Sequence, residues 1–307
     1  MPKREKYHTK HLLLEINLMN KKSLFLLGLL GLMQGTAFLF IKIAVTSINP
    51  FAIVFLRVTI SIPLIYAFIY YKKYNLIEIV KPYWKSLLLL SFTSIIIPFS
   101  LIAWAGKFIP SGISSVYMAL IPIFVVIFEI FIRKNINLKI RAYLGLLLGF
   151  LGVILLFWNS LSSQNIGSLI GHFFCLLSAI FYGFSVFKTK ELSSIPPIVI
   201  SFFILLGASI FLFPIFVLIS PENLSFINMQ GLSILGLSII STAGALMLMY
   251  HLIDKVGTVF TATTNYLVPL FGIILGYIFL NESLNIILFP AVILIFLSLY
   301  LVSSGKK

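Results

Sequence analysis

The chain has 307 residues, of which 60% are hydrophobic and only 10% are charged. Soluble domains carry roughly 25% charged residues, so too few charges remain here to coat a soluble globule. The formal net charge of +14 does not indicate a nucleic-acid partner, because the basic residues lie between long apolar stretches.

Apolar stretches of about 20 residues, the length that crosses a hydrocarbon core, recur along almost the whole chain. They predict an all-α integral membrane protein with ten transmembrane helices. In chain order the predicted spans are Leu24–Val45, Asn49–Tyr71, Ser86–Ala105, Ser111–Ile132, Ile140–Trp158, Gly167–Phe187, Pro197–Leu218, Gln230–Tyr250, Val256–Phe279 and Asn285–Val302.

The segment before the first span is basic and polar. It lacks a small-residue cleavage site, so we expect the first span to be retained as an anchor rather than removed as a signal peptide. Met19 precedes one asparagine and two lysines, a normal flank for a first span, and is an alternative start of translation. The single cysteine, Cys175, lies within a span, so no intrachain disulfide is expected.

The 22 lysine and arginine residues concentrate in alternate loops. With a cytoplasmic N-terminus, Lys107 lies in an external loop, Lys42 and Arg57 lie within spans, and the other basic residues are cytoplasmic. Because basic residues resist translocation, this bias predicts that both termini are cytoplasmic. The usage of Ile, Lys, Phe and Asn is typical of an AT-rich bacterial genome, which indicates the inner (plasma) membrane, where the cations would also attract anionic lipid headgroups.

The two halves of the chain align at one ungapped offset, which pairs Pro50 with Pro197 and Pro122 with Pro269. Each half has five predicted spans, and an odd number forces the halves into opposite orientations, as alternating access requires. The predicted organisation is a cytoplasmic segment, 1–23, followed by two five-helix repeats, 24–158 and 167–302.

The same offset pairs two polar stripes, one on the fourth span and one on the ninth, each at a helical spacing that keeps it close to one face. The paired positions are Ser111 and Thr258, Ser114 and Thr261, Met118 and Asn265, and Pro122 and Pro269. We expect helix kinks at both prolines and polar groups facing the axis between the halves. Hydroxyl bonds to the backbone one turn earlier are the alternative interpretation.

Several short motifs keep a fixed order between Leu24 and Val302. They are Gln34-Gly35-Thr36-Ala37-Phe38 before Lys42, Asn49-Pro50, Arg57, Leu120-Ile121-Pro122, Leu267-Val268-Pro269 and Asn281-Glu282-Ser283. In order and spacing they resemble the drug/metabolite transporter superfamily, specifically its EamA-type ten-helix members. The resemblance implies transport without ATP hydrolysis, through a cavity lined mainly by spans one, three, four, six, eight and nine. The family's usual Gly-Glu pair after the fourth span is Lys134-Asn135 here.

Polar and aromatic residues within the spans are the candidate cavity and substrate residues. They are Gln34, Phe38, Lys42, Trp104, Ser114, Tyr117, Met118, Tyr182, Tyr250, Thr261 and Asn265. Aromatic faces suit apolar or cationic cargo, and hydroxyl and amide groups orient it. Packing or an interfacial belt is the alternative for the aromatic residues, and the belt is favoured for Trp104 and Tyr250.

Three charged residues lie within spans. For Lys42 we favour extension to the membrane interface over a cavity role. For Arg57 we favour a clamp on backbone carbonyls at the interface of the halves over contact with an anionic substrate, because a buried cation needs a partner. For Glu129 we favour an ion pair with Arg133 over a carboxylate that carries a coupling proton.

We expect a secondary transporter that exports amino acids or related small metabolites by alternating access. An importer or exchanger of a larger, nucleotide-linked metabolite and a passive channel are the alternatives. The sequence has no metal-binding histidine pair, catalytic acid pair or Walker loop, so no enzyme, ATP-driven pump, metal or cofactor is expected. Small-xxx-small glycine pairs leave open whether helices pack within the chain or in a homodimer.

Overall fold

The computed structural model describes residues 21–74, 76–133, 139–162, 165–219, 226–283 and 286–304. Their regular secondary structure is helical, with no strand among them. Nine of the described helices are long and apolar enough to cross a membrane, and one further apolar helix is shorter. The expected N-terminal segment and the alternative start at Met19 lie outside the described residues.

The ten helices follow the predicted spans closely. They are α1 (Lys21–Ala44), α2 (Pro50–Tyr71), α3 (Glu78–Ala105), α4 (Ser111–Ile132), α5 (Ile140–Trp158), α6 (Ile166–Leu192), α7 (Pro197–Ile219), α8 (Met229–Val256), α9 (Phe260–Leu280) and α10 (Leu288–Val302). The all-α membrane fold is therefore confirmed. The predicted ends of α3 and α8 are too short, because each helix continues beyond its apolar core into polar residues.

Asparagine side chains begin three of the helices. Asn49 accepts a hydrogen bond from the Phe51 amide, and Pro50 occupies the first turn of α2, where a missing N–H costs nothing. Asn165 and Asn228 cap α6 and α8 in the same manner. Each cap satisfies one of the amides that a helix start leaves unpaired. All three caps lie on one face of the bundle.

The third helix of each half contains a π-helical turn. These turns are Ser91–Ile96 in α3 and Ile239–Gly244 in α8. A π turn inserts one extra residue into the helical repeat and rotates the side chains that follow it. The side chains of α8 beyond this turn therefore do not follow the spacing that a regular helix predicts.

Both predicted proline kinks correspond to local irregularity, but at different places. In α4 a 3-10 turn, Tyr117–Leu120, directly precedes Pro122. In α9 the interruption lies at Thr263, whereas Pro269 lies inside the helical segment Thr264–Leu280. A proline removes the hydrogen bond to the residue four positions earlier, which accounts for the irregularity directly before Pro122.

Many contacts between helices recur when each helix is replaced by its counterpart in the other half of the chain. Helix α1 packs against α8 and α9, as α6 packs against α3 and α4. Helix α2 packs against α8, as α7 packs against α3, and the pairs α2 with α7, α4 with α9 and α5 with α10 map onto themselves. The central helices thus form two groups, α1, α2, α8 and α9 against α3, α4, α6 and α7. Each group contains helices from both halves.

Glycines permit the closest helix contacts. A Cβ placed on Gly35 of α1 would lie 2.7 Å from the Phe271 Cβ of α9, and one on Gly145 of α5 would lie 2.8 Å from Val302 of α10. The predicted glycine pairs are therefore used for packing within the chain. Large apolar side chains such as Phe150 and Ile293 are exposed on the outside of the bundle, the surface that lipid would cover.

Gly35→Ala tests the contact between α1 and α9. The added methyl group would force the two backbones apart, at a cost of about 1–3 kcal/mol, so we expect a lower thermal unfolding midpoint in detergent. Gly28→Ala is the matched control, because nothing lies within 4 Å of a Cβ at that position on the same helix. Equal midpoints for the two variants would contradict the close contact.

Candidate functional site

A cavity of about 650 Å³ lies between the two helix groups. Its walls are mostly apolar, with one cationic side chain and a set of hydroxyl and amide groups. The polar and charged lining residues are Gln34, Arg57, Ser94, Tyr182, Ser185, Thr189, Ser193, Ser201, Ser241, Thr242, Thr258 and Asn265. The six helices implied by the resemblance all contribute, and α2 and α7 contribute as well.

The cavity reaches one face of the bundle. We call the side with the α6–α7 and α8–α9 connections the basic face, since Lys188, Lys190 and Lys255 lie there, and the other side the opposite face. Residues of both connections, among them Ser193 and Thr258, line the cavity. A solute could therefore enter between the helix groups from the basic face.

The opposite face is closed by direct packing between the groups. Helix α1 contacts the first turns of α4, and α2 contacts the end of α3. Exchange of the halves would map the first of these contacts onto α6 and α9. Within the described chain those two helices do not pack against each other to a comparable extent, and both line the cavity. The two faces thus differ in this contact between the first and fourth helices of a half.

Two charged side chains hold the closed face together. The Lys42 Nζ of α1 donates to the carbonyl oxygens of Gly106 and Ile109, at 2.8 and 2.9 Å. Glu282, after α9, accepts from the backbone amide and hydroxyl of Ser111, at 2.6 and 3.0 Å, and from the Gly112 amide at 3.1 Å. Both contacts join the two helix groups, and both are made to the connection from α3 to α4 or to the residues that follow it.

The Glu282 carboxylate lies at the N-terminus of α4, where unpaired amides and the helix dipole favour an anion. Asn281 directs the chain there by adopting a left-handed conformation, with φ of 52°, which asparagine tolerates better than most residues. The repeat offset equates Lys42 with Thr189, whose hydroxyl donates within its own helix to Ser185. The residue equivalent to Glu282, Asn135, lies outside the described residues.

Arg57 lies inside the cavity and is only 7% exposed. Its Nε donates to the Thr242 hydroxyl at 2.7 Å, and its guanidinium carbon lies 3.7 Å from the centre of the Phe99 ring. Thr242 belongs to the π turn of α8 and donates its own proton to the Leu237 carbonyl. The prediction that Arg57 binds backbone carbonyls is therefore wrong. Its partner is a hydroxyl group in the other half of the chain.

Glu129 forms an ion pair with Lys190, across the basic-face ends of α4 and α6. This partner was not predicted from the sequence; the Arg133 side chain, the predicted partner, lies outside the described residues. Glu129 is buried and is not among the residues that line the cavity.

The sequence model of the EamA-like transporter family matches the chain twice, at residues 21–158 and 169–304. The chain belongs to this family. Three similar proteins are named only as uncharacterized transporters. The one from Archaeoglobus fulgidus is 24% identical over 86% of this chain and 91% of its own length. YoaV of Bacillus subtilis is 23% identical over 85% and 90%, and the one from Buchnera aphidicola is 25% identical over 86% of both.

The fold of this EamA-like transporter is shared with a solved crystal structure. The TM-score is 0.63, and the alignment covers 92% of this chain and 96% of the other at 16% identity. At this identity the likeness concerns the fold alone. The two family matches fall close to the repeats that the sequence offset predicts.

Six of the predicted residues line the cavity of this EamA-like transporter: Gln34, Phe38, Arg57, Met118, Tyr182 and Asn265. They lie on five different helices, with Gln34 and Phe38 both on α1, and only the assembled bundle brings them together. Lys42 was expected to reach the membrane interface or the cavity. It does not line the cavity, because its ammonium group binds the carbonyls of the α3–α4 connection.

Three predicted residues are packed between helices instead of lining the cavity. Tyr117 shares a buried hydrogen bond with His172, 2.9 Å from Oη to Nδ1. The hydroxyl of Ser114 bonds to the Pro110 carbonyl, and that of Thr261 bonds to the Gly257 carbonyl. These bonds follow the alternative interpretation of the polar stripes.

The two remaining aromatic candidates lie near the helix ends. Trp104 packs edge-on against Phe51, and the Lys107 ammonium lies 4.6 Å from its ring centre. The Tyr250 hydroxyl lies 2.6 Å from that of Tyr74. Neither residue lines the cavity, as expected for the interfacial interpretation.

Sequence reasoning missed Thr242, Ser241 and Phe99. A regular helical wheel cannot place the first two, because they lie within the π turn of α8. The chain has 30 phenylalanines, and nothing in the sequence distinguishes Phe99 from the others. Glu282 was noted as part of a motif, but its contact with α4 depends on tertiary packing.

Replacement of Lys42 by Met or of Glu282 by Gln should favour opening of the opposite face, because each change removes contacts between the helix groups. The measurement is the distance between spin labels at Lys107→Cys and Ile286→Cys, both exposed positions on that face, in a Cys175→Ser background. We expect a larger population at long distance in each variant.

Lys81→Met is the control, since it removes an exposed lysine at the basic face. Labels at Glu191→Cys and Lys255→Cys report the basic face and should move closer together as the opposite face opens. An unchanged distance distribution in both Lys42→Met and Glu282→Gln would show that these contacts do not hold the opposite face closed.

Proposed function

We propose that this EamA-like transporter is a secondary transporter that exports amino acids or related small metabolites by alternating access. The observation that carries the proposal is a central cavity that reaches the basic face and is closed at the opposite face by Lys42 and Glu282. A carrier needs a binding compartment that is accessible from one side at a time.

The repeat supplies a route to the second state. Residues 24–158 and 167–302 each contribute five helices, so the halves insert in opposite orientations. Exchange of the conformations of the two halves would open the gap between α1 and α4 and close the gap between α6 and α9. The paired contacts within each helix group support this exchange, because each of them has a counterpart in the other group.

The direction of export rests on topology. Basic residues favour the cytoplasmic side, which would place both termini and the basic face in the cytoplasm of a bacterial cell. The cavity is then accessible to cytoplasmic solutes, as the loading step of an exporter requires. The closed opposite face favours a carrier over a passive channel.

Counterflow in proteoliposomes tests the proposal. Vesicles that contain the purified protein are loaded with one unlabelled amino acid at a time, and uptake of the same radiolabelled amino acid is followed. A carrier should show saturable uptake that internal substrate accelerates, whereas an open channel should not. Empty vesicles are the control, and the absence of accelerated uptake across an amino-acid panel would contradict the proposal.

Glu129→Gln tests whether a proton is coupled at this carboxylate. Because Glu129 is paired with Lys190 and lies off the cavity, we expect the pH profile of transport to keep its shape. Lys190→Met removes the other partner of the same ion pair and should give the same result. A profile that becomes flat in Glu129→Gln alone would instead assign proton coupling to Glu129.

A further inference from the structure

Arg57 is the charged side chain of the cavity, and no acidic residue lines the cavity in the part of the chain that the structure describes. The two buried or half-buried glutamates of the bundle are engaged elsewhere. Glu129 pairs with Lys190 at the basic face, and Glu282 binds the start of α4 at the opposite face. The guanidinium charge thus has no carboxylate counterpart in the described cavity wall.

The contacts of Arg57 fix its guanidinium group but do not neutralise it. The Nε atom donates to Thr242, and the Phe99 ring lies against the guanidinium face. Among the described residues this is the one hydrogen bond that the group makes to protein. The two Nη nitrogens make no hydrogen bond to the described residues, and together they match the two oxygens of a carboxylate.

We infer that Arg57 binds the carboxylate of the substrate. This inference rests on the proposed transport function and names the substrate class: monocarboxylates with an apolar body, which include the apolar amino acids. The apolar walls, among them Phe38 and Met118, cover the body of the substrate. Gln34 and Asn265 supply amide groups for a second polar group. A single cation fits one carboxylate and does not fit the several charges of a nucleotide-linked metabolite.

Thr242 is a positioning residue in this arrangement. Its hydroxyl holds the Nε edge of the guanidinium, so the opposite edge keeps one orientation. Thr242→Val preserves the shape of the side chain and removes this hydrogen bond. The charge would remain, but the group would lose its fixed plane, and carboxylate binding should weaken less than on loss of Arg57.

The test compares three probes that share one apolar body: 3-phenylpropionate, its neutral amide 3-phenylpropanamide, and the cation 2-phenylethylamine. Binding to the purified full-length chain in nanodiscs is measured by calorimetry. A hydrogen-bonded charge pair in such a site discriminates by about 10- to 100-fold, so we expect the carboxylate to bind more tightly than the amide by that factor, and the amine to bind weakest.

Arg57→Gln should abolish the preference for the carboxylate, Arg57→Lys should retain part of it, and Lys81→Met, which removes an exposed cation outside the cavity, should retain all of it. Equal affinity of the native chain for the carboxylate and the amide would overturn the inference without any variant. A structural clamp would give a different pattern, in which Arg57→Gln lowers the unfolding midpoint and leaves the preference intact.

The same probes separate this inference from the proposed function. Counterflow without a carboxylate preference would support the transport proposal and contradict the binding site at Arg57. If carboxylate binding depends on Arg57 but no probe or amino acid shows counterflow, the binding site would be supported and the transport proposal contradicted.

Discussion

The hydrocarbon core of a membrane cannot solvate a charge or an unpaired backbone group, so every such group must find a partner inside the protein. This constraint explains the helical fold, and it also explains the two cations within the spans. Lys42 finds carbonyls at the α3–α4 connection, and Arg57 finds a hydroxyl and an aromatic face. Each partner belongs to the opposite group of helices or the opposite half, so each cation ties parts of the chain that lie far apart in sequence.

The central design is two groups of helices that exchange under the repeat, with a cavity between them. The repeat alone would make both faces alike. The charged residues break that symmetry: Lys42 and Glu282 hold one connection at the opposite face, while the equivalent of Lys42 is Thr189, which bonds within its own helix. This difference in charge accompanies the difference in helix packing: Lys42 binds across the closed face, whereas Thr189 does not bind across the other.

Arg57 adds a second asymmetry, because its counterpart in the repeat is the apolar Ile204, which also lines the cavity. One wall of the compartment is therefore cationic and the related wall is apolar. A substrate with one carboxylate and an apolar body would meet both walls in a fixed orientation. The π turn of α8 makes this arrangement possible, since it presents Thr242 to the guanidinium group.

The sequence by itself determined the membrane class, the ten helices, the repeat and six of the residues that line the cavity, because hydropathy, proline positions and polar residues in apolar spans are local signals. Only the tertiary structure decided the partners. Lys42 binds carbonyls more than sixty residues away, Glu129 pairs with Lys190 of another helix, and Ser114 and Tyr117 face other helices rather than the cavity. Those outcomes depend on helix rotation and on contacts between the halves, and neither is encoded in spacing along one helix.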